Sequence, residues 1–403
     1  MFCFKFSSSA SVDNLLIASA YDNVLTGLIP DLYAGLDVVS RELVGMIPSV
    51  TRNVSAERAA LNEPVTYHIT GDGNVNDISS SMTIPEPTDQ TIENDSIIIT
   101  KSRAAEFGWT GEEQKGLNNG PGYLSVQADL FAQGLRKLVE EVEQDLTTAA
   151  YLAASRAYGS TSTPFATNTG ETAQLKKILD DNGAPSSDRS LVIDTSAGAA
   201  LRTLNNLTRV NEAGTSMTLR DGELLNLNNF SIKESAKIQE PDVGTASGAT
   251  TNTAGYAVGA TTITLASAGT GTILAGDVIT FAGDTNKYVV KTGNSDVSSG
   301  GTIVLADPGL RVAIGTSATA ITVTAKTVRN LAFARSAVHL VARAPALPEG
   351  GDAAVDRQML VDPRSGLAFE VAVYNGYHKK RFEVGLAWGV KAVKPAHIGV
   401  LLG

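Results

Sequence analysis

Cys3 is the only cysteine in this 403-residue chain. A disulfide needs two cysteines and a cysteine metal site needs more, so both are excluded within one chain. So little thiol suits folding in a reducing cytosol, and it is also compatible with export. Histidine is scarce too: His68, His339, His378 and His397 fall in separate elements without ligand spacing, and each reads as a packing or surface residue. No window offers about 18 uninterrupted apolar residues, so no membrane span is expected. The first twenty residues make a poor signal peptide, because the serines from Ser7 to Ser11 and Asp13 interrupt any apolar stretch. Positive charge is in deficit. Lysine and arginine number 32 against 42 acids, a formal net charge of −10. Phosphate neutralisation supplies most nucleic-acid affinity, so tight DNA binding is not expected. A Walker loop and a GxSxG elbow are both missing, and no constellation able to carry catalysis is found.

What the chain does have is a long amphipathic stretch at 122–158. Phe131, Leu135, Leu138, Val142, Leu146, Ala149 and Ala153 recur at three- and four-residue spacing. Arg136, Lys137, Glu140, Glu141, Glu143 and Asp145 fall between them, as charges on a solvated face would. Pro121 suits the first turn, Gly159 suits a left-handed C-cap, and only Gly134 weakens the run. Such a helix would be about 50 Å long. That is scaffold length for a flat or extended molecule.

Before it, residues 11–50 read as helix interrupted by turns. Asp13 or Ser11 caps a first helix; Pro30 starts a second, with Leu32, Leu36, Val39, Leu43 and Val44 on one stripe, and Pro48 ends it. The stripes have no local partner, which marks an arm. Strands are expected at 65–69 and around 97–100, separated by a long polar stretch. A segment of that kind buries little by itself and is either flexible or docked on another molecule. Its far part carries Glu86, Asp89, Glu93 and Asp95.

After the long helix comes a Ser/Thr/Gly linker at 159–170. A helix at 171–182, a strand at 190–194, a helix at 195–205 capped by Thr195 or Ser196, and a strand at 230–238 indicate a mixed α/β domain. From about 244 to 326 the composition shifts to Gly, Ala, Thr and Val. Short strands are expected at 262–265, 277–281, 288–291, 302–305 and 320–324, the pattern of a small all-β module inserted into the α/β domain. Strands at 367–374 and 379–388 flank Asn375 and Gly376, a tight-turn pair. Phe382, Val384, Leu386 and Trp388 alternate strictly, and the apolar end at 398–402 is expected in the core.

Candidate chemical sites are weak. Asp72, Asn74 and Asn76 open like a calcium loop, but Asp77 stands where glycine is needed and Thr83 where glutamate is needed. The pairs Glu112–Glu113 and Glu140–Glu141 and the basic run Lys379, Lys380, Arg381 read as solvated faces. Catalytic, cofactor and metal residues are therefore assigned as none.

The order of parts is helical arm, long loop, long helix, α/β domain, inserted β module, return. It resembles the major capsid proteins of tailed bacteriophages, nearest to the coat proteins of temperate short-tailed Salmonella phages. Three patches carry the resemblance: Trp388, Gly389 and Val390 with Lys394, Pro395 and Ile398 to Val400; Gly276 to Gly283; and Asp221 and Gly222 with Phe230 and Ser235. Residues 249–259 depart from it, being short and uncharged where those relatives carry a long charged loop.

The resemblance implies an α+β capsid fold with an inserted all-β barrel. Its divisions would be an N-arm at 1–60, an E-loop region at 61–119, a spine helix and linker at 120–170, an A-domain with returning P-domain strands at 171–243 and 327–403, and the insertion at 244–326. It implies self-assembly into pentamers and hexamers of an icosahedral shell enclosing double-stranded DNA, with a scaffolding protein and a portal protein as partners. It further implies assembly in the host bacterial cytoplasm and residence in the virion. Glu86, Asp89, Glu93 and Asp95 are then expected at a contact with a neighbouring subunit. The competing reading is an exported surface or adhesion protein with a β-rich binding module.

Overall fold

The computed structural model describes residues 43–69, 93–117, 123–204, 226–361 and 366–403, with positions 77–78, 80, 82–83, 207 and 224. The arm helices expected before residue 43, the turn at Asp72, and the acids Glu86 and Asp89 lie outside the described residues.

In chain order the strands begin with β1 (Thr51–Ala59), β2 (Pro64–Ile69), β3 (Glu93–Ile98) and β4 (Lys101–Thr110). Helices α1 (Gly111–Leu117) and α2 (Tyr123–Ala153) follow, then β5 (Arg156–Gly159), α3 (Gly170–Asp181), β6 (Arg189–Ile193), α4 (Thr195–Arg202) and β7 (Phe230–Glu234). The Gly/Thr-rich stretch holds β8 (Thr262–Leu265), β9 (Val278–Phe281), β10 (Lys287–Thr292), β11 (Gly301–Leu305) and β12 (Ile321–Val323). The chain closes with β13 (Arg329–Ala334), β14 (Val338–Pro345), β15 (Ala354–Val361), β16 (Ala368–Gly376), β17 (Lys379–Ala392) and β18 (Ile398–Leu402). Strand makes up 41% and helix 21%, so the mixed class expected from the sequence is weighted toward β.

The long helix forms as 31 residues, about 46 Å of scaffold. Its buried stripe is Phe131, Leu135, Leu138, Val139, Val142, Leu146 and Ala150, continued by Ala154 just past its end. The expected stripe ran through Ala149 and Ala153, one position away at this end. The helix also stops earlier than its periodicity suggests. Arg156 to Tyr158 pair with Gly399 to Leu401 in parallel, so this segment is strand, and Gly159 ends a strand rather than capping a helix. Sheet hydrogen bonds from a partner some 240 residues away override the local helical pattern.

Six strands form the sheet that α2 lies on, in the order β1-β14-β17-β16-β15, with β4 also on β17. β17 is its hub. Residues 379–388 pair with β4 along one edge, and the other edge is shared by β16 and β14. Phe382, Val384, Leu386 and Trp388 are all buried, as their alternation predicts. Phe107, Phe131 and Phe382 lock helix to sheet, with ring centroids 4.7 to 5.6 Å apart. Gly134, a weak point by helix propensity, lies where β4 crosses. A Cβ there would sit 3.1 Å from the Ala105 Cβ.

The second sheet has ten strands. Its main path is β12-β9-β10-β5-β18-β13-β6-β7, with β11 on β10 and β8 on β11. Helices α3 and α4 cover one part of it through Leu175, Leu179, Ala197 and Leu201 against Leu191, Ile193, Phe230 and Leu401. All five strands expected in the Gly/Thr-rich stretch form. They share a core of Ile263, Leu265, Ile279, Phe281, Tyr288, Val290, Ile303, Leu305 and Ile321. This stretch is also tied to the rest of the sheet, because β10 pairs with β5 through Lys287–Ala157 and Tyr288–Arg156.

Several local expectations change. Leu43 and Val44 are not helical, and Pro48 sits inside a short 3-10 turn, Ile47–Ser49, rather than after a helix. Helix α4 is capped by Asp194, which accepts from the N–H groups of Ser196 and Ala197, and not by Thr195 or Ser196. The β16–β17 turn is Tyr377–His378, with His378 at φ 54°; Asn375 and Gly376 remain paired in the strand. β1 and β4 were not anticipated. Both are polar, because each is an edge strand of its sheet with much of its surface facing out.

Gly389 is the tightest backbone approach in the first sheet. A Cβ there would lie 2.1 Å from the Ile98 carbonyl oxygen and 3.2 Å from the Ile99 Cα. Gly389→Val is expected to destabilise the chain by about 2 to 3 kcal/mol in urea unfolding. Gly116→Ala, at a helical glycine with open space around it, is expected to be neutral or stabilising by about 0.5 kcal/mol.

Candidate functional site

The candidate geometry is a set of polar anchors on α2, the β2–β3 hairpin and the outer strands. The first is Glu143, in the middle of α2. Its carboxylate is buried and accepts from three consecutive backbone N–H groups, Gly45 at 2.7 Å, Met46 at 2.6 Å and Ile47 at 3.0 Å. Ser235, just past β7, also hydrogen-bonds to it. These N–H groups belong to the entry of a helical turn, where they have no intrahelical acceptor. Burial pushes the Glu143 pKa up, and the donors pull it back. Lys233 reaches the same region through Ser49 Oγ at 3.0 Å. Gly45 leaves no room for a side chain, since a Cβ would lie 2.7 Å from Val192 Cγ1 and 2.8 Å from the Glu234 carbonyl oxygen. Residues 45–47 are thus fixed against α2 and β7. Helical periodicity marked Glu143 as one more solvent-facing acid, and nothing local distinguishes it from Glu141.

Three further acids of α2 are engaged as well. Asp145 accepts from Trp388 Nε1 at 2.9 Å and from Lys101 Nζ at 2.8 Å, and Lys101 also reaches Glu141 at 3.2 Å. Glu140 pairs with Arg136 and with Lys237. The solvated acidic face expected from sequence is therefore a row of attachment points.

The second anchor holds the β2–β3 hairpin. Among the described residues these strands pair only with each other, from Pro64–Ile98 at the base to Ile69–Glu93 at the open end. Asp95 accepts from Tyr67 Oη at 2.6 Å and from Lys391 Nζ at 2.6 and 2.5 Å; Lys391 also donates to the Ser96 carbonyl at 3.0 Å. The Lys391 ammonium and the Tyr67 hydroxyl hold the Asp95 pKa down to about 2. The Tyr67 ring lies 5.5 Å from the His339 ring, and a small apolar cluster of Ala59, Ile97, Ile99, Val341 and Ala387 sits beneath. Of the four acids singled out in the sequence, Asp95 is committed within its own chain. Glu93 heads β3, and Glu86 and Asp89 lie outside the described residues.

A third network crosses the outer strands. Glu370 on β16 is buried, with Arg58 of β1 at 2.6 Å and Arg357 of β15 beside it. Arg357 also pairs with Asp352. Where β13 meets the Gly/Thr-rich stretch, Asp277 accepts from the N–H groups of Gly244 and Leu274. Arg329, almost wholly buried, interacts electrostatically with Asp277 and Tyr151.

Among the described residues no three His, Cys, Asp or Glu side chains group to hold a metal, and no helix is long and apolar enough to cross a membrane. A cleft of about 420 Å³ beside the 159–167 linker is lined by hydroxyls with Glu171 and Lys287. A second, of about 310 Å³, lies at the β16–β17 turn.

Glu143→Ala would leave three buried N–H groups without an acceptor. A loss of about 3 kcal/mol or more is expected in urea unfolding, with faster hydrogen exchange at residues 45–47; Glu143→Gln is expected to lose less. The Asp95 latch has its own acid dependence. A carboxyl whose folded pKa is depressed contributes stability above its unfolded pKa of about 3.9 and loses it as pH falls toward 2. Hydrogen exchange at 65–69, taken relative to the intrinsic amide rate at each pH, is therefore expected to lose protection on acidification from pH 4 to pH 2, and Asp95→Asn is expected to show the lower protection already at neutral pH.

No family model matches the sequence, and no curated protein matches it. Solved structures do. The capsid structure of the cyanophage P-SCSP1u is 13% identical, covers 90% of this chain and 88% of its own, and has a TM-score of 0.50. A structure from Mycobacterium phage Che8 is also 13% identical, with 84% of each chain covered and a TM-score of 0.45. The capsid of the Myoviridae phage XM1 is 11% identical over 90% of this chain and 92% of its own, with a TM-score of 0.43. At these identities the likeness is one of fold: the chain has the fold seen in the cyanophage capsid.

Proposed function

We propose that this chain is the shell-forming subunit of a tailed bacteriophage, a major capsid protein that assembles as pentamers and hexamers around double-stranded DNA. The observation that carries the reading is the fold shared with the cyanophage capsid over about nine-tenths of both chains. The anchors support it. A buried glutamate fixes residues 45–47 on α2, and the half-exposed Asp95–Lys391 pair holds a hairpin that among the described residues joins neither large sheet, an arrangement that suits contacts between copies. The net charge of −10 suits an inner surface that does not trap packaged DNA. Partners in this reading are other copies, a scaffolding protein and a portal protein. The role is structural rather than enzymatic, in the virion, after assembly in the host cytoplasm.

Within this reading the segment 244–326 is an inserted β-domain, as in the short-tailed Salmonella phage subgroup. Its own apolar core favours that division, and the β10–β5 pairing makes it a folding support for the monomer. The acids Glu86, Asp89 and Glu93 belong to a contact with a neighbouring subunit.

Electron microscopy of the purified protein, alone and with its co-expressed scaffold, tests the reading. Closed shells, tubes or capsomer rings are expected. A monodisperse monomer under both conditions would overturn it.

A further inference from the structure

The linker after β5 has more order than its Ser/Thr/Gly composition demands. Residues 160–169 join β5 to α3 without regular structure, yet contacts on several sides hold them. Phe165 is fully buried in the core shared with α3 and α4, at φ 61°, a backbone region that bulky residues rarely adopt. Gly403 presses on the same linker: a Cβ there would meet the Ser162 carbonyl oxygen and lie 3.0 Å from Pro164 Cδ. Lys287 Nζ, on β10, donates to the Gly159 carbonyl at 2.6 Å. A loop held on a rigid scaffold in this way is a common place for binding residues.

The cleft beside it, about 420 Å³, falls within the range of small-molecule sites, about 300 to 1,000 Å³. Most such sites are apolar, and this one is not. Ser160, Ser162, Thr163, Thr167 and Thr285 line it with hydroxyls. Ser160 and Thr167 accept long hydrogen bonds inside the linker, both at 3.4 Å, which leaves their O–H groups to donate. The lining has one acid, Glu171, and one base, Lys287, so it carries no net formal charge. One Glu171 carboxylate oxygen is shielded from water and has no hydrogen-bond partner among the described residues, so this carboxylate is short of donors. Lys287 has three N–H donors and spends one on Gly159. Tyr158, 39% exposed, adds an aromatic ring to the lining.

These features select a class of ligand. An apolar molecule would leave the hydroxyls and both charged groups without partners, at a cost for each. Phosphate or another anion would meet Glu171, and a metal ion or an amine would meet Lys287. A neutral molecule rich in hydroxyls satisfies all of them, because each hydroxyl both donates and accepts. We infer that the cleft between the 160–169 linker, β5 and β10 is a binding site for a saccharide. In this site Glu171 accepts from sugar hydroxyls, Lys287 donates to a sugar oxygen, and the linker hydroxyls close around the ring. The C–H face of the sugar lies on the electron-rich face of Tyr158. The inference goes beyond the shell-subunit reading and does not depend on it.

Saturation-transfer difference NMR on the full-length protein tests it. The probes are methyl α-glucoside, methyl α-mannoside, methyl β-galactoside and N-acetylglucosamine, each added separately. Transfer to the ring protons of at least one is expected, with a dissociation constant of about 1 to 10 mM. Glu171→Gln and Tyr158→Ala are each expected to weaken that binding about tenfold. Thr163→Val, at an exposed linker position that leaves the core untouched, is expected to weaken it about threefold. A neutral ligand has no net charge to screen, so salt at about 0.5 M is expected to leave the affinity unchanged. No transfer to any of the four probes would overturn the site, as would equal transfer in the wild type and all three variants. Binding that salt abolishes, or from which inorganic phosphate displaces the sugar, would overturn the assignment to a neutral saccharide.

Discussion

A single buried carboxylate does much to decide where this chain's parts go. Glu143 takes the N–H groups of Gly45, Met46 and Ile47 together, and Ser235 joins it. A carboxylate withdrawn from water must be matched by donors, or its burial is strongly unfavourable. Three backbone donors from one turn supply that match with little freedom in geometry. The long helix, the entry of the N-terminal segment and the end of β7 are therefore held in one arrangement. Asp145 and Glu141 extend the same principle to β4 and β17 through Lys101 and Trp388.

The apolar stripe of α2 explains why the helix lies on the sheet. It does not by itself set the register along the sheet, since burial is nearly indifferent to a small slide. Directional contacts set it. The Trp388–Asp145 bond and the phenylalanine cluster at 107, 131 and 382 fix where helix and strands meet. Gly134 and Gly389 set how closely backbones approach.

Much of this was legible beforehand. The three-four repeat marked α2, strict alternation marked the apolar face of β17, and turn glycines separated β8 to β12. All are short-range periodicities, which depend only on helix and strand geometry. The failures have a common cause. Arg156 to Tyr158 looked helical and became strand because β18 lay alongside. Asn375 and Gly376 looked like the turn, yet pairing with Lys379 and Lys380 moved it two residues on. β1 and β4 are polar edge strands whose pairing partners come from far along the chain. The jobs of Asp95 and Lys391 were not legible, because the two lie 296 residues apart.

By itself, then, the sequence determined which stretches are amphipathic, where composition changes, and that a disulfide or a cysteine metal site within one chain is excluded. These properties are local or additive, and chain order carries them without folding. Only the tertiary structure decided which acids are solvated and which are anchors. Glu143 and Glu141 share a residue type, a helix and a neighbourhood. One is buried under the entry turn of the N-terminal segment, and the other is a partly exposed partner of Lys101. Charge state, desolvation and bonding follow from what packs on a residue, and packing is set by parts of the chain that are distant in sequence.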